Sequence, residues 1–339
     1  MEIPVRFGND GYTVTVERGA LRRVGTLCRL DRKVLIVTDD GVPARYAEAV
    51  FAACREPYLA VVPQGEGSKS FAVLERLLTD MLERGFSRKD CVVSVGGGVV
   101  SDLAGFAAAT YMRGIDFYAV PTTVLSEVDA SVGGKTAINL GGVKNIVGAF
   151  YRPKAVVIDP ETLATLPPRQ IASGLGEAVK MAVTFDAAFF TEFENGDPLS
   201  KIDAIIARAV TLKRDVVERD EKEQDLRRVL NFGHTIGHGI ESAAGGALHH
   251  GECVAIGMLP MCSDKVRARL RPVLKRLGLP TAADLDPEAV YAAMLHDKKS
   301  TENGVAAVFS DEIGSYRIET VRPEALRARI ETVIRRNPA

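Results

Sequence analysis

The stretch Cys91-Val-Val-Ser-Val-Gly96-Gly97-Gly98-Val99-Val100-Ser101-Asp102 decides the fold. Its first five residues are a short valine-dominated run, the pattern of a strand covered on both faces of a parallel sheet. Three glycines follow, and a helical pattern begins at once, so the strand turns directly into a helix. Such a turn lets a ligand's phosphates approach the backbone, while the helix N-terminus offers N–H donors and the positive end of its dipole. The spacing is not GxGxxG, and the plainer alternative is a tight strand-to-helix connection.

Working outward, further strands are expected at Lys33–Thr38, Tyr58–Val62, Phe117–Val120 and Ala155–Asp159, with helices over 42–54, 70–85 and 99–112. Strands alternating with helices describe a parallel sheet with helices on both faces. Asp39 ends one strand, where a ribose hydroxyl would be bound, and Gly65-Glu66-Gly-Ser-Lys69 follows the next. Both belong to the edge at which open α/β sheets take ligands, which favours a dinucleotide. Residues 2–19 read as an added hairpin turning at Asn9-Asp-Gly11. After Pro160 the segments 161–195, 200–219, 226–246, 251–279, 286–296 and 322–337 have helical periodicity, and only 304–320 looks extended. The expected fold class is α/β: a Rossmann-like parallel-sheet nucleotide-binding domain over 1–160, then a mostly α-helical domain over 161–339.

Of 339 residues, 46% are hydrophobic and 26% charged, with a net charge of −1. That is the composition of a soluble globular protein, and it gives no bulk electrostatic reason to bind nucleic acid or anionic membranes. No apolar run approaches the ~18 residues that span a bilayer. The first residues lack the basic and apolar regions of a signal peptide. Cys28, Cys54, Cys91, Cys253 and Cys262 form no CxxC pair, so reduced thiols and a cytoplasmic location are expected.

The second half concentrates its chemistry in Arg227-Arg228-Val-Leu-Asn231-Phe-Gly-His234-Thr-Ile-Gly-His238-Gly-Ile-Glu241 and in His249-His250-Gly-Glu252. These hold four of the chain's five histidines. His234 and His238, at i and i+4, share a helical face, and Glu241 lies near it. Histidines with one remote carboxylate suffice for a metal site that leaves a position open to substrate. Spacing alone does not choose among the histidines, and a helix cap is the plain reading of His250. Glu177 and Lys180 stand at i and i+3, sharing a face. Lys135 beside Gly133-Gly134, and Lys144-Asn145 beyond it, suit an oxyanion; the surrounding residues lack the first glycine of a P-loop.

In chain order, several signatures resemble those of the 3-dehydroquinate synthase family of sugar phosphate cyclases. The first half holds Gly96-Gly97-Gly98-Val99 with Asp102, Thr110-Tyr-Met-Arg113-Gly, Val120-Pro-Thr122-Thr123, Asp129-Ala-Ser-Val-Gly-Gly-Lys135-Thr and Lys144-Asn145-Ile-Val-Gly-Ala-Phe. The second holds Thr165-Leu-Pro-Pro-Arg, Glu177-Ala-Val-Lys180, Asp220-Glu-Lys-Glu223, Leu230-Asn231-Phe-Gly-His234-Thr and His250-Gly-Glu252. The resemblance implies a divalent metal, zinc or cobalt, held by Glu177, His234 and His250, with His238 facing the substrate's leaving phosphate. It implies NAD bound by Asp39, Glu66, Lys69, Gly97, Gly98, Val99, Asp102, Thr122, Thr123, Lys135 and Lys144. Asp129, Lys135, Asn145, Lys180, Lys213, Arg227, Asn231 and one of Lys298 or Lys299, with Lys298 preferred, would line the polar pocket. A homodimer is implied, with Arg113 reaching the neighbouring subunit's site.

The family's reaction turns 3-deoxy-D-arabino-heptulosonate 7-phosphate into 3-dehydroquinate and phosphate through oxidation, phosphate elimination, reduction, ring opening and intramolecular aldol closure. A substrate carrying a carboxylate and a phosphate needs a pocket of this cationic kind. The alternatives are an inosose or valiolone synthase, whose substrates lack the carboxylate, a metal-dependent polyol dehydrogenase, and a non-catalytic NAD-binding protein. Gly176 and Gly239 stand where the family usually has alanine, for which an ordinary helix predicts a cost of up to ~1 kcal/mol each.

Overall fold

The computed structural model describes residues 1–297 and 304–335, which form two compact units, Met1–Leu166 and Pro167–Ala339. The first unit runs β1 (Glu2–Phe7), β2 (Asp10–Val16), α1 (Val24–Leu27), β3 (Lys33–Asp39), α2 (Ala44–Ala52), β4 (Glu56–Val62), α3 (Phe71–Glu83), β5 (Cys91–Gly96) and α4 (Gly98–Thr110). It continues through β6 (Asp116–Pro121), β7 (Lys135–Leu140), β8 (Val143–Phe150) and β9 (Ala155–Ile158). Seven strands make one sheet in the order β1-β2-β9-β6-β5-β3-β4. Only the β1–β2 pair is antiparallel; β2–β9, β9–β6, β6–β5, β5–β3 and β3–β4 are all parallel.

The α/β reading of this unit holds. Every residue of β5 is buried, as a strand covered on both faces requires. Ile36, Val93, Val95, Val120 and Val157 pack on one face with Val24, Leu30, Tyr46 and Val50. From β3 the chain runs outward to β4 and then returns to β5 on the opposite side of β3. The order reverses there, and at such a switch point the strand ends leave a crevice for ligands.

Two local expectations are corrected. The first hairpin turns at Gly8-Asn9, because Phe7 pairs with Asp10, and Asp10 and Gly11 belong to the returning strand. The segment from Lys135 to Phe150, read only for its lysines, is an antiparallel hairpin of β7 and β8 turning at Gly141-Gly142. A pair of glycines between two β-prone runs was the available signal.

The second unit runs α5 (Pro168–Phe185), α6 (Ala187–Asn195), α7 (Ile202–Arg219), α8 (His234–Ala243), α9 (His250–Met258) and α10 (Asp264–Arg276). Then come β10 (Ala283–Asp284), α11 (Pro287–Asp297), β11 (Val305–Phe309), β12 (Arg317–Val321), α12 (Pro323–Ile330) and β13 (Ile334–Arg335). The long helical segments of the sequence reading are interrupted where local chemistry stops them. Asp186 accepts from the Phe189 N–H at 3.0 Å and starts α6. Gly233, at φ +78°, separates a short 3₁₀ turn over Leu226–Asn231 from α8. Ser263 caps α10 after the Leu259-Pro-Met turn. Residues 334–335, expected to be helical, pair with β10 instead.

Helix α9 packs unusually closely against both α5 and the start of α8, and glycine makes these approaches possible. A Cβ on Gly251 would lie 1.9 Å from the Ser173 carbonyl oxygen of α5, and one on Gly257 would lie 2.1 Å from the Gly233 carbonyl. Gly239 corrects the sequence reading in the same way. A methyl there would meet the Val290 carbonyl of α11 at 2.6 Å, so glycine is what lets α8 seat against α11 and is no mere loss of helix propensity.

Gly251→Ala is expected to destabilise the protein by about 1–3 kcal/mol through overpacking. Thermal denaturation followed by circular dichroism should register this as a melting temperature lower by several degrees. An unchanged transition would mean that α5 and α9 tolerate a methyl between them.

Candidate active site

The parallel registers put the ends of β3, β4, β5 and β6 at one edge of the sheet. Asp39 closes β3 and is buried; its Oδ1 accepts from the Gly41 and Val42 N–H groups at 2.9 and 3.1 Å. Burial raises its carboxyl above the ordinary range, against the pull of those two donors. Next to it β5 ends at Gly96, Gly97 is extended, and α4 opens at Gly98 with no acidic residue in its first turn. Gly97, Gly98 and Val99 are therefore half-buried at a helix N-terminus suited to an anion. After β6, the Thr122 N–H donates to the Gly96 carbonyl at 3.0 Å, and the Thr123 hydroxyl accepts from the Ser126 N–H at 3.2 Å.

A buried lysine is one of the links between this edge and the β7–β8 hairpin. Lys69, 3% exposed, donates to Asp102 Oδ2 at 2.7 Å and to Asn145 Oδ1, with Glu66 Oε1 at 3.6 Å. Four residues expected at a cofactor or substrate site thus form one network. Asp129 lies in a π-helical turn over Ser126–Ala130, half-buried, and Lys135 and Lys144 are exposed on the hairpin. Arg113 sits past the far end of α4, which spans ~20 Å at 1.5 Å per residue. This chain does not bring Arg113 to its own glycine turn.

In the second unit Glu177 and Lys180 are both buried on α5 and form an ion pair. Glu177 Oε1 lies 3.8 Å from His234 Nε2 and 3.6 Å from His250 Nε2. Ligand atoms sharing a tetrahedral zinc at 2.0–2.1 Å are separated by roughly 3.3 Å. His234, His238 and His250 each offer a nitrogen within 4.8 Å of the others, so all three histidines converge. Two of them are aimed from behind: His234 Nδ1 lies 3.2 Å from the Phe232 carbonyl, and His250 Nδ1 lies 2.9 Å from Glu241 Oε2. Each therefore turns its Nε2 toward Glu177.

Burial, then the charges of Lys180, His250 and His238, hold His234 well below the usual imidazole range, which favours the neutral, ligating form. Burial also disfavours charge on His250, but the Glu241 hydrogen bond and the Glu177 and Glu241 carboxylates outweigh it and raise that group. Neither Glu177 carboxylate oxygen accepts a well-formed hydrogen bond, although the residue is fully buried. A carboxylate so enclosed is costly unless cations face it, and a divalent ion between Glu177 and the histidines would meet that need. The donor set fits a metal.

Other expected residues belong to the same unit. Lys213 is buried on α7, which packs against α5 and against the 226–231 turn. Arg227 is buried, and its Nη1 donates to the Glu221 carbonyl at 2.6 Å. Asn231 Nδ2 donates to Glu223 Oε1 at 2.6 Å. Asp220 organises this loop by accepting from the Gln224, Asp225 and Arg227 N–H groups. Burial works to raise its carboxyl, but those donors carry it below the ordinary range. Lys298 and Lys299 lie outside the described residues.

Glu252, first grouped with the polar residues around the histidines, is structural. It accepts two hydrogen bonds from Arg169 at 2.7 Å and one from the His249 N–H at 2.7 Å, capping α9. Sequence reading placed Glu241 near the histidine face and Glu223 in a family signature without giving either a role, and it passed over Asn139; tertiary contacts distinguish all three.

The solved structures that the chain resembles define the class. Over 98% of this chain and 100% of the other it superposes, with a TM-score of 0.89 and 26% identity, on a 2-deoxy-scyllo-inosose synthase complexed with carbaglucose-6-phosphate, NAD+ and Co2+. A 2-epi-5-epi-valiolone synthase from Streptomyces hygroscopicus with NAD+ and Zn2+ bound matches with a TM-score of 0.87 and 27% identity over 97% and 98% of the two chains. These are sugar phosphate cyclases, and the chain shares their fold. Models of the 3-dehydroquinate synthase N-terminal and C-terminal regions match residues 59–173 and 174–300. The 3-dehydroquinate synthase of Enterococcus faecalis is 40% identical over 97% of this chain and 98% of its own length. That of Geobacter metallireducens is 42% identical over 94% and 96%. The chain belongs to the 3-dehydroquinate synthase family and is an enzyme.

Glu241→Ala is expected to weaken metal affinity by about 10–100-fold, because it frees the His250 ring without removing a donor nitrogen. Competition with a chelator, with metal quantified by mass spectrometry, measures this. Retention of zinc as tight as that of the unaltered protein would show that Glu241 does not orient His250.

Proposed function

We propose that this enzyme converts 3-deoxy-D-arabino-heptulosonate 7-phosphate to 3-dehydroquinate and phosphate, as an NAD- and divalent-metal-dependent carbon–oxygen lyase. The observation that carries this reading is the identity of 40% and 42% to curated 3-dehydroquinate synthases over nearly the full chain, against 26% and 27% to the inosose and valiolone synthase structures. In this reading the first unit is the NAD-binding half and the second the metal- and substrate-binding half. The enzyme works in the cytoplasm as a homodimer in which Arg113 serves the neighbouring site. The exposed position of Arg113 after α4 supports that last point.

Glu177, His234 and His250 would hold the metal, zinc or cobalt. The sheet edge at Asp39, Glu66, Lys69, Gly97, Gly98, Val99, Asp102, Thr122 and Thr123 would hold NAD, with Lys135 and Lys144 from the hairpin. What the bound groups supply is a reversible hydride acceptor and a Lewis acid for the substrate hydroxyl. Everything else falls to side chains. Lys180, Lys213, Arg227 and Asn231, with Lys135, Asn145 and Lys298, neutralise and orient a substrate that carries both a carboxylate and a phosphate. His238, beside the two ligating histidines, faces the phosphate that leaves. Asp129 completes the polar lining.

Metal-loaded protein given a catalytic amount of NAD and the heptulosonate phosphate should release phosphate and form dehydroquinate in equal amounts, with no lasting NADH. Phosphate without the carbocycle, or NADH equal to the substrate consumed, would overturn the reading; the second outcome is that of a polyol dehydrogenase. Glu177→Gln, His234→Ala and His250→Ala should each lose metal together with activity. His238→Ala should lose activity and keep metal; full metal loss there would instead make His238 a ligand.

A further inference from the structure

Asn139 is half-buried in β7, at the point where the hairpin's register breaks. Ile138 pairs with Val147 and Leu140 with Val143, so the single residue Asn139 faces the three residues Lys144, Asn145 and Ile146. Such a bulge bends the strand and re-aims its side chains, and bulges recur beside active sites. Here Asn145 takes φ +56°, a left-handed conformation that a non-glycine residue keeps only when its surroundings hold it.

Asn139 supplies that hold and is itself anchored at two further points. Its Oδ1 accepts the Asn145 backbone N–H at 2.8 Å. Its Nδ2 donates to Glu66 Oε1 at 2.9 Å, and its own backbone N–H donates to the Lys69 carbonyl at 2.8 Å. Lys69 then closes the circuit through its ammonium to Asn145 Oδ1. One side chain thus ties the segment after β4 to the bulge in the hairpin.

We propose that Asn139 is a positioning residue that joins the dinucleotide-binding segment Glu66–Lys69 to Asn145, so that cofactor affinity and substrate affinity depend on one hydrogen-bonded unit. This rests on the reading of those residues given above. Asn139 itself touches neither ligand; it acts by fixing the Asn145 backbone and the Glu66 carboxylate. The two halves of its amide have separate duties, the oxygen serving Asn145 and the nitrogen serving Glu66.

The test compares the full-length, metal-loaded enzyme with Asn139→Ala and Asn139→Asp, using calorimetric NAD+ binding without sugar phosphate and steady-state turnover of the heptulosonate phosphate. Loss of one or two such hydrogen bonds corresponds to roughly tenfold in an equilibrium constant. Asn139→Ala should weaken NAD+ binding and raise KM for the sugar phosphate by about that factor each, with kcat falling less. Asn139→Asp keeps the acceptor for Asn145 and loses the donor to Glu66. It should weaken NAD+ binding alone, with KM near that of the unaltered enzyme. If Asn139→Ala only lowers the melting temperature and leaves both affinities unchanged, or if Asn139→Asp raises KM as much as Asn139→Ala does, the proposal is wrong. Should the alanine variant not fold, the aspartate variant still decides through its NAD+ affinity. An unaltered enzyme that binds NAD+ without turning over this substrate would refute the functional reading, and the calorimetric comparison would still judge Asn139.

Discussion

A fully buried carboxylate on α5, faced by a buried lysine and by histidines from two other helices, is the constraint on which the second unit depends. Glu177 has no exposure, and its oxygens accept no well-formed hydrogen bond. Burying such a charge without compensation costs several kcal/mol. Compensation comes from Lys180 one turn along the same helix and from imidazoles on α8 and α9, and those imidazoles arrive only because the helices cross at glycines. With methyl groups at Gly251 and Gly257 the axes would have to separate. The histidine nitrogens would then leave the 3.6–3.8 Å range in which they now face Glu177. Close packing and the convergence of these side chains are the same requirement in this unit.

The first unit solves a different problem with a regular frame. Parallel strands deliver Asp39, the segment after β4, the glycine turn and Thr122 to one sheet edge with no special packing. The irregular part is the β7–β8 hairpin, whose bulge and left-handed Asn145 depend on side-chain hydrogen bonds from Asn139 and Lys69. The frame is general to doubly wound sheets, whereas the hairpin adds the particular polar groups.

Much of the frame was legible because its physics is local. The valine runs and the glycines between them announce buried strands and abrupt helix starts, and β5 with α4 falls where the pattern puts it. Glu177 and Lys180 at i, i+3 share a face in any helix, and so do His234 and His238 at i, i+4. The β7–β8 hairpin was missed because lysines and an asparagine broke its alternation. The helix breaks at Asp186 and Gly233 were missed because apolar periodicity continues across them. Glu252 was misread because an acidic residue next to histidines looks like site chemistry until Arg169, 83 residues earlier, is seen to hold it.

By itself the sequence determined the alternation of strand and helix, the glycine turn at a strand end, the concentration of histidines and the ordered motifs that mark the family. These are properties of neighbouring residues and of residue type. Only the tertiary structure decided that His250 is steered by Glu241, that Glu252 is a cap, that Gly239 is needed for a helix crossing and that Asn139 sits at a bulge joining Glu66 to Asn145. Each of these depends on a hydrogen bond or a close approach between residues far apart in the chain. No local pattern encodes where a side chain meets a partner that folding alone brings near.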